Sequence, residues 1–155
     1  MSGVMNFLHK GVGGLNSVGT YVSMLPLRLL LAYEFWTAGV EKYNGENWFG
    51  DIQSQFPFPF SAVPADISWA MATWFELIGA VALAIGLGTR FFSISLVILT
   101  WVAIEAVHAG QGYTISEGGW KLPLIYIVMF VPLILSGPGK LSLDCWLSQR
   151  LGCCK

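Results

Sequence analysis

Residues 69–107 read WAMATWFELIGAVALAIGLGTRFFSISLVILTWVAIEAV. Two apolar runs, Trp69 to Leu87 and Phe91 to Val107, are joined by little more than Gly86-Leu-Gly-Thr-Arg90. Each run approaches the roughly 20 residues that cross about 30 Å of hydrocarbon at a rise of about 1.5 Å per residue. With so short a connection, two helices here have to be antiparallel neighbours. Gly79 and Gly86, with Ala80, Ala82 and Ala84, give the first of them a small-residue surface for close helix contact.

Outward from this pair, Leu25 to Val40 and Leu122 to Leu135 are apolar runs of the same kind. The spacing predicts spans over 25–42, 68–87, 90–108 and 120–136, an outer loop over 43–67 and a tail over 137–155. The expected fold is all-α: one antiparallel four-helix integral membrane bundle filling residues 1–155, with short interfacial segments at both termini. Composition agrees, since 55% of the 155 residues are hydrophobic and 11% charged, against about 25% charged in an ordinary soluble domain. The net charge of -1 and the lack of a basic stripe give no footing for nucleic acid. The first run holds Arg28 and Glu34 and has no small-residue cleavage site after it, so it is expected to stay as a span.

Basic residues near the span ends set the orientation. Lys10, Arg90, Lys140, Arg150 and Lys155 fall on one side, with Arg28 just inside the first span, while Lys42 and Lys121 fall on the other. The positive-inside rule then places both termini in the cytoplasm, in a bacterial inner (cytoplasmic) membrane. Trp48, Trp69, Tyr113 and Trp120 gather at the outer face and Trp146 at the inner one, as interfacial aromatic belts do. The outer loop is long for a bundle connection and carries Phe56-Pro-Phe-Pro-Phe60, whose prolines favour an extended path. Such a segment either lies along the membrane surface as an anchor or folds back over the bundle as a lid. Met1 to Ser23 is expected to form an interfacial helix weakened by its glycines, and Leu141 to Leu151 a short amphipathic segment.

Ionisable side chains inside the spans are the pointers to function, because each costs several kcal/mol without a partner or water. Glu34 and Glu76 fall near the midplane, and Glu105 and His108 near the outer end of the third span, three residues apart on one helical face. Arg28 can reach to the surface, to a carboxylate or to the carbonyls near Gly137, and Lys42 has the same choice at the outer end. If Glu34 and Glu76 faced each other, both could not stay ionised, and a shared proton, a bound cation or a water-filled cavity would be needed. Alternatively each carboxylate bonds a Trp or Tyr donor across the bundle, with Tyr33, Trp36, Trp74 and Trp101 at suitable depths. The polar site proposed from sequence is therefore Arg28, Glu34, Lys42, Glu76, Glu105 and His108.

Glu105 and His108 have the Glu-x-x-His spacing of carboxylate-rich metal sites, but no second pair exists, so Glu41, Glu117 or Met71 would have to complete the shell. Copper(I) favours sulfur, whereas Cys145, Cys153 and Cys154 lie at the opposite end of the chain. There is no C-x-x-C-H, flavin-type glycine fingerprint or P-loop.

Several segments carry a family resemblance: Arg28; Phe35-Trp-Thr-Ala-Gly39 with Lys42; Glu76-Leu-Ile-Gly79 leading to Gly86-Leu-Gly-Thr-Arg90; and Gly137-Pro-Gly-Lys-Leu-Ser-Leu-Asp144. By their order and spacing, from Pro26 to Asp144, the chain resembles the DoxX family of small four-helix membrane proteins. The stretch FWTAGVEK is also similar to the HvfX-like branch found with copper-binding modified peptides. The resemblance implies a membrane bundle working beside redox or stress-response partners encoded nearby, some relatives being named subunits of thiosulfate:quinone oxidoreductase. Three functions follow as expectations: an accessory or anchoring subunit for a redox, stress-response or metal-handling system; a quinone-linked oxidoreductase component; or a small transporter of protons, metal or solute, for which a homo-oligomer is the natural form. Quinone and a copper ion are the candidate cofactors, and the lipid bilayer and a protein are the candidate partners.

Overall fold

A computed structural model describes residues 12, 13, 16, 18, 19 and 21–150. The interfacial helix expected over Met1 to Ser23 falls largely outside the described residues, as do Cys153 and Cys154. The described residues are all-helical, with six α-helices and no strand: α1 Met24–Asn44, α2 Phe49–Ile52, α3 Ala65–Ile85, α4 Thr89–Ala103, α5 Lys121–Ser136 and α6 Leu143–Arg150.

The sequence explains where these helices start and stop. Pro64 precedes α3 and Asp66 sits in its first turn, where a carboxylate complements the helix dipole. Gly86, at a φ of 73°, ends α3 in the left-handed conformation that suits glycine, and Gly88, at 57°, opens α4 the same way. Gly137 ends α5 at a φ of 80°. Beyond Ala103 the third expected span changes character: a π turn runs from Ile104 to His108 and a 3-10 turn from Ala109 to Gln111.

The helices pack as α1 on α3, α3 on α4, α4 on α5, and α1 on α5. Leu31, Ala32 and Phe35 of α1, Ala80 and Leu83 of α3, Leu96 of α4, and Phe130 and Leu133 of α5 form one buried cluster. A Cβ on Gly39 would lie 2.9 Å from the Leu77 side chain and 3.2 Å from Glu76 Cβ, while Arg28 reaches the carbonyls of Leu83 and Ala84. The residue number falls along α3 as it rises along α1, so the two run in opposite directions. Gly79 gives α4 the same close approach, a Cβ there meeting Leu96 at 3.1 Å.

Large apolar side chains are exposed on the outside of the helices, among them Leu29, Leu30 and Trp36 of α1 and Trp74, Ile78 and Val81 of α3. Arg28, Glu76, Thr89, Ser93 and Thr100 are buried inside. Two helical stretches, Ala65–Ile85 and Thr89–Gln111, are long and apolar enough to cross a membrane.

The segment between α1 and α3 folds back on the helices instead of running extended. Asn47 bonds Asp66 at 2.7 Å and Gln53 bonds the Val63 carbonyl at 3.1 Å, fixing the segment to the start of α3. Phe49 sits edge-on to Trp48, Phe56 and Trp69, with ring centroids 5.0–5.2 Å apart, and Phe56 is buried.

Candidate functional site

Three of the family-like segments, Arg28, Gly86 to Arg90 and Gly137 to Asp144, converge on one knot at one end of the helices. Arg28 is 1% exposed, and its guanidinium donates to four carbonyls: Leu83 at 2.9 Å, Ala84 at 2.9 Å, Pro138 at 2.8 Å and Leu141 at 2.7 Å. Asp144 accepts from the backbone amides of Gly88 at 2.7 Å and Thr89 at 2.9 Å, capping α4, while its own amide donates to the Gly86 carbonyl at 2.9 Å. A Cβ on Gly86 would lie 2.6 Å from Ser142 and 2.9 Å from the Arg28 guanidinium carbon. Planar donors, a bare glycine and a capping carboxylate are each required by this geometry. Its bonds run almost wholly to backbone groups of three segments, so the knot positions the helices.

The reactive geometry lies toward the opposite end. The Lys42 ammonium donates to both Glu76 oxygens, at 3.0 Å and 2.9 Å, with side chains 18% and 4% exposed. Gly39, one turn before Lys42, lets α1 approach α3 closely enough for this bidentate pair to form. The pair stands on the wall of a cavity of about 490 Å³ whose other walls are Phe75 and Met71 of α3, Leu99 and Val102 of α4, and the covering rings of Phe49 and Phe56. Its few other polar contributors are Ser68, Ser95 and His108. Ser68 Oγ is buried without a hydrogen-bond partner among the described residues. His108 comes from the π turn, a feature that recurs at functional sites because it re-aims side chains; its Nδ1–H donates to the Gly118 carbonyl, leaving Nε2 as the free ring atom.

The six residues proposed from sequence thus separate. Lys42, Glu76 and His108 are brought to one cavity. Arg28 belongs to the knot, and one of its acceptors, Pro138, adjoins the Gly137 carbonyl expected of it. Glu34 is half-buried and accepts a 2.7 Å bond from the Tyr126 hydroxyl of α5, so Glu34 and Glu76 are satisfied by different partners. Glu105 stays exposed while His108 lines the cavity, because the π turn carries more residues per turn than the α-helix from which a shared face was expected. Among the described residues no three His, Cys, Asp or Glu side chains group to hold a metal ion, and Cys145 lies on α6, away from the cavity. The cavity lining offers copper His108 and Met71 but no cysteine sulfur.

Sequence reasoning missed Ser68, Tyr126 and the capping role of Asp144. Asp144 had a signal, since an aspartate five residues after a Gly-Pro-Gly turn can reach back to a glycine-flanked helix start. Ser68 and Tyr126 had none, because their importance depends on helix rotation.

A family model described as DoxX matches residues 23–109. A Haemophilus influenzae protein described only as uncharacterized is 51% identical over 130 residues, covering 84% of this chain and 86% of its own. A second uncharacterized H. influenzae protein is 29% identical over 125 residues, covering 76% and 85%. A Mycobacterium tuberculosis protein named an uncharacterized membrane protein is 26% identical over 144 residues, covering 85% of each chain. No solved structure matches. With the family model spanning more than half of the sequence and one relative this similar along most of both lengths, the chain belongs to the DoxX family.

Proposed function

We propose that this is an integral membrane protein of the bacterial inner membrane, whose four long helices cross antiparallel with both termini in the cytoplasm. It serves a redox partner by holding a bilayer-soluble, carbonyl-bearing ligand of the quinone class. Apolar side chains outside and charged ones inside reverse the pattern of a soluble protein and suit lipid as the solvent. A relative's name as a membrane protein supports the same reading.

The observation that carries the ligand reading is the cavity. About 490 Å³ lies within the range of small-molecule sites, which are mostly apolar with a few placed polar groups. Here those groups are the Lys42–Glu76 pair, the Ser68 hydroxyl and His108. The Lys42 ammonium and the Ser68 hydroxyl can donate to a ligand carbonyl, and Glu76 and His108 can pass protons to and from it. Quinone would supply the electron chemistry, and the chain would supply orientation and proton exchange. The chain then acts as an accessory component of a quinone-linked oxidoreductase, with a protein partner encoded nearby bringing the other redox centre.

Purified protein in nanodiscs should carry quinone extractable by organic solvent and identifiable by mass spectrometry. Lys42→Met should weaken quinone binding by about tenfold, the loss of one charge-assisted hydrogen bond of about 1.5 kcal/mol. Native protein without quinone, failing to bind it on titration, would refute the reading.

A further inference from the structure

The cavity has a neighbour. A groove of about 290 Å³ runs beside it, lined by Phe58 of the aromatic segment, Val97 and Trp101 of α4, and Ile127 of α5. Phe60, Ile98 and Val102 line both spaces and form their common wall. The two spaces differ in kind: the cavity contains the Lys42–Glu76 pair, Ser68 and His108, whereas every side chain of the groove is aliphatic or aromatic.

The helical register of α4 sets the two side by side. Residues 98 and 102 are four apart and so stack along one stripe, with 95, 99 and 103 flanking it toward the cavity and 97 and 101 flanking it toward the groove. The groove side faces outward, since Trp101 is 53% and Phe58 86% exposed. The residues shared by the two spaces are therefore two on one helix stripe of α4 and one aromatic residue of the covering segment.

We infer that the ligand is a tailed lipid-like molecule, whose polar ring occupies the cavity at Lys42–Glu76 and whose hydrocarbon chain passes Phe60, Ile98 and Val102 into the groove between α4 and α5. The occupant follows from the chemistry of the two spaces: a polar head needs the first, and a group without hydrogen-bonding atoms suits the second. A tail already dissolved in hydrocarbon gains little hydrophobic energy on entering the groove. What the groove provides is direction, holding the head with its carbonyl toward Lys42. Tail-less polar solutes would use the cavity alone. This inference rests on the cavity reading above.

Photolabelling tests it with two probes on the intact protein in nanodiscs: a dimethoxy-methyl-benzoquinone with an azide on the ring, and the same head with a decyl tail ending in a diazirine. The ring probe should label cavity residues such as Met71 and Phe75. The tail probe should label Trp101, Val97 or Ile127, and excess unlabelled decyl-benzoquinone should remove that label. Ile127→Trp, which fills the groove, should abolish the tail label there while leaving ring labelling intact. Trp101→Ala, at an exposed position that tolerates truncation, should move the tail label without moving the ring label. Ring labelling in the cavity with tail labels scattered over the exposed faces of α1, α3 and α5 would overturn the inference and leave the cavity reading standing. Ring labelling outside the cavity would overturn both.

Discussion

At the scale of single residues, Arg28 shows how a buried charge can be structural. Its fork meets four carbonyls from two segments far apart in the chain, and no other side chain places that many donors in one plane. Arg28→Met should leave the Ala84, Pro138 and Leu141 carbonyls without their donor. A fully buried acceptor so stranded costs about 1–3 kcal/mol, and these three bonds are part-buried, so a loss of about 3 kcal/mol is expected in SDS-titrated unfolding from micelles. Arg28→Lys should recover only part of it, because an ammonium cannot span all four carbonyls. A loss below about 1 kcal/mol for Arg28→Met would contradict the assignment. The sequence pointed Arg28 toward this region because a guanidinium near the end of a span has few places to go. It did not point Glu34 to Tyr126, because a tyrosine inside an apolar run carries no mark of which neighbour it faces.

At the scale of elements, Asp144 joins α6 to the α3–α4 connection by capping α4. A carboxylate at a helix N-terminus satisfies two amides that have no intrahelical partner and complements the dipole. Asp144→Ala should cost about 1–2 kcal/mol, and Asp144→Asn should cost less, since an amide oxygen still accepts one bond. Amide hydrogen exchange should localise the effect to Gly88 and Thr89, and protection there unchanged in Asp144→Ala would disprove the cap. The small residues of α3 were legible as a contact surface, and Gly79 and Ala80 do meet neighbouring helices closely. The π turn at Ile104 to His108 was not legible. Its residues favour an ordinary helix, and the departure lies where His108 bonds the Gly118 carbonyl of the following loop.

At the scale of the molecule, apolar run length and glycine punctuation placed the long helices to within a few residues, whereas the rotation of each helix came only with packing. That is why depth could place Glu34 and Glu76 in the interior while their partners stayed hidden: Lys42 lies on the same helix face as Gly39, and a bare glycine there is what allows α1 to bring its lysine to α3. The proposed membrane topology follows from charge as much as from length. Arg90, Lys140 and Arg150 lie at the end held together by Arg28 and Asp144, while Lys42 and Lys121 lie at the cavity end, where Lys121 stacks on Tyr113 and Trp120 packs 4.6 Å from that ring. Arg150 stacks on Trp146 at the Arg28 end, 4.6 Å from its centroid. Cation and aromatic ring together at both ends are what interfacial anchoring requires. A fluorescent protein fused after the C-terminus should fluoresce in the bacterium, and alkaline phosphatase inserted within residues 112–118 should be active outside the cytoplasm. Moving the basic excess, with Lys140 and Arg150 changed to Gln and two lysines added to the 112–118 loop, should lower phosphatase activity severalfold. Phosphatase activity at the C-terminus with fluorescence from the loop would reverse the orientation. It would place the cavity, and any partner that exchanges electrons with its ligand, on the cytoplasmic side.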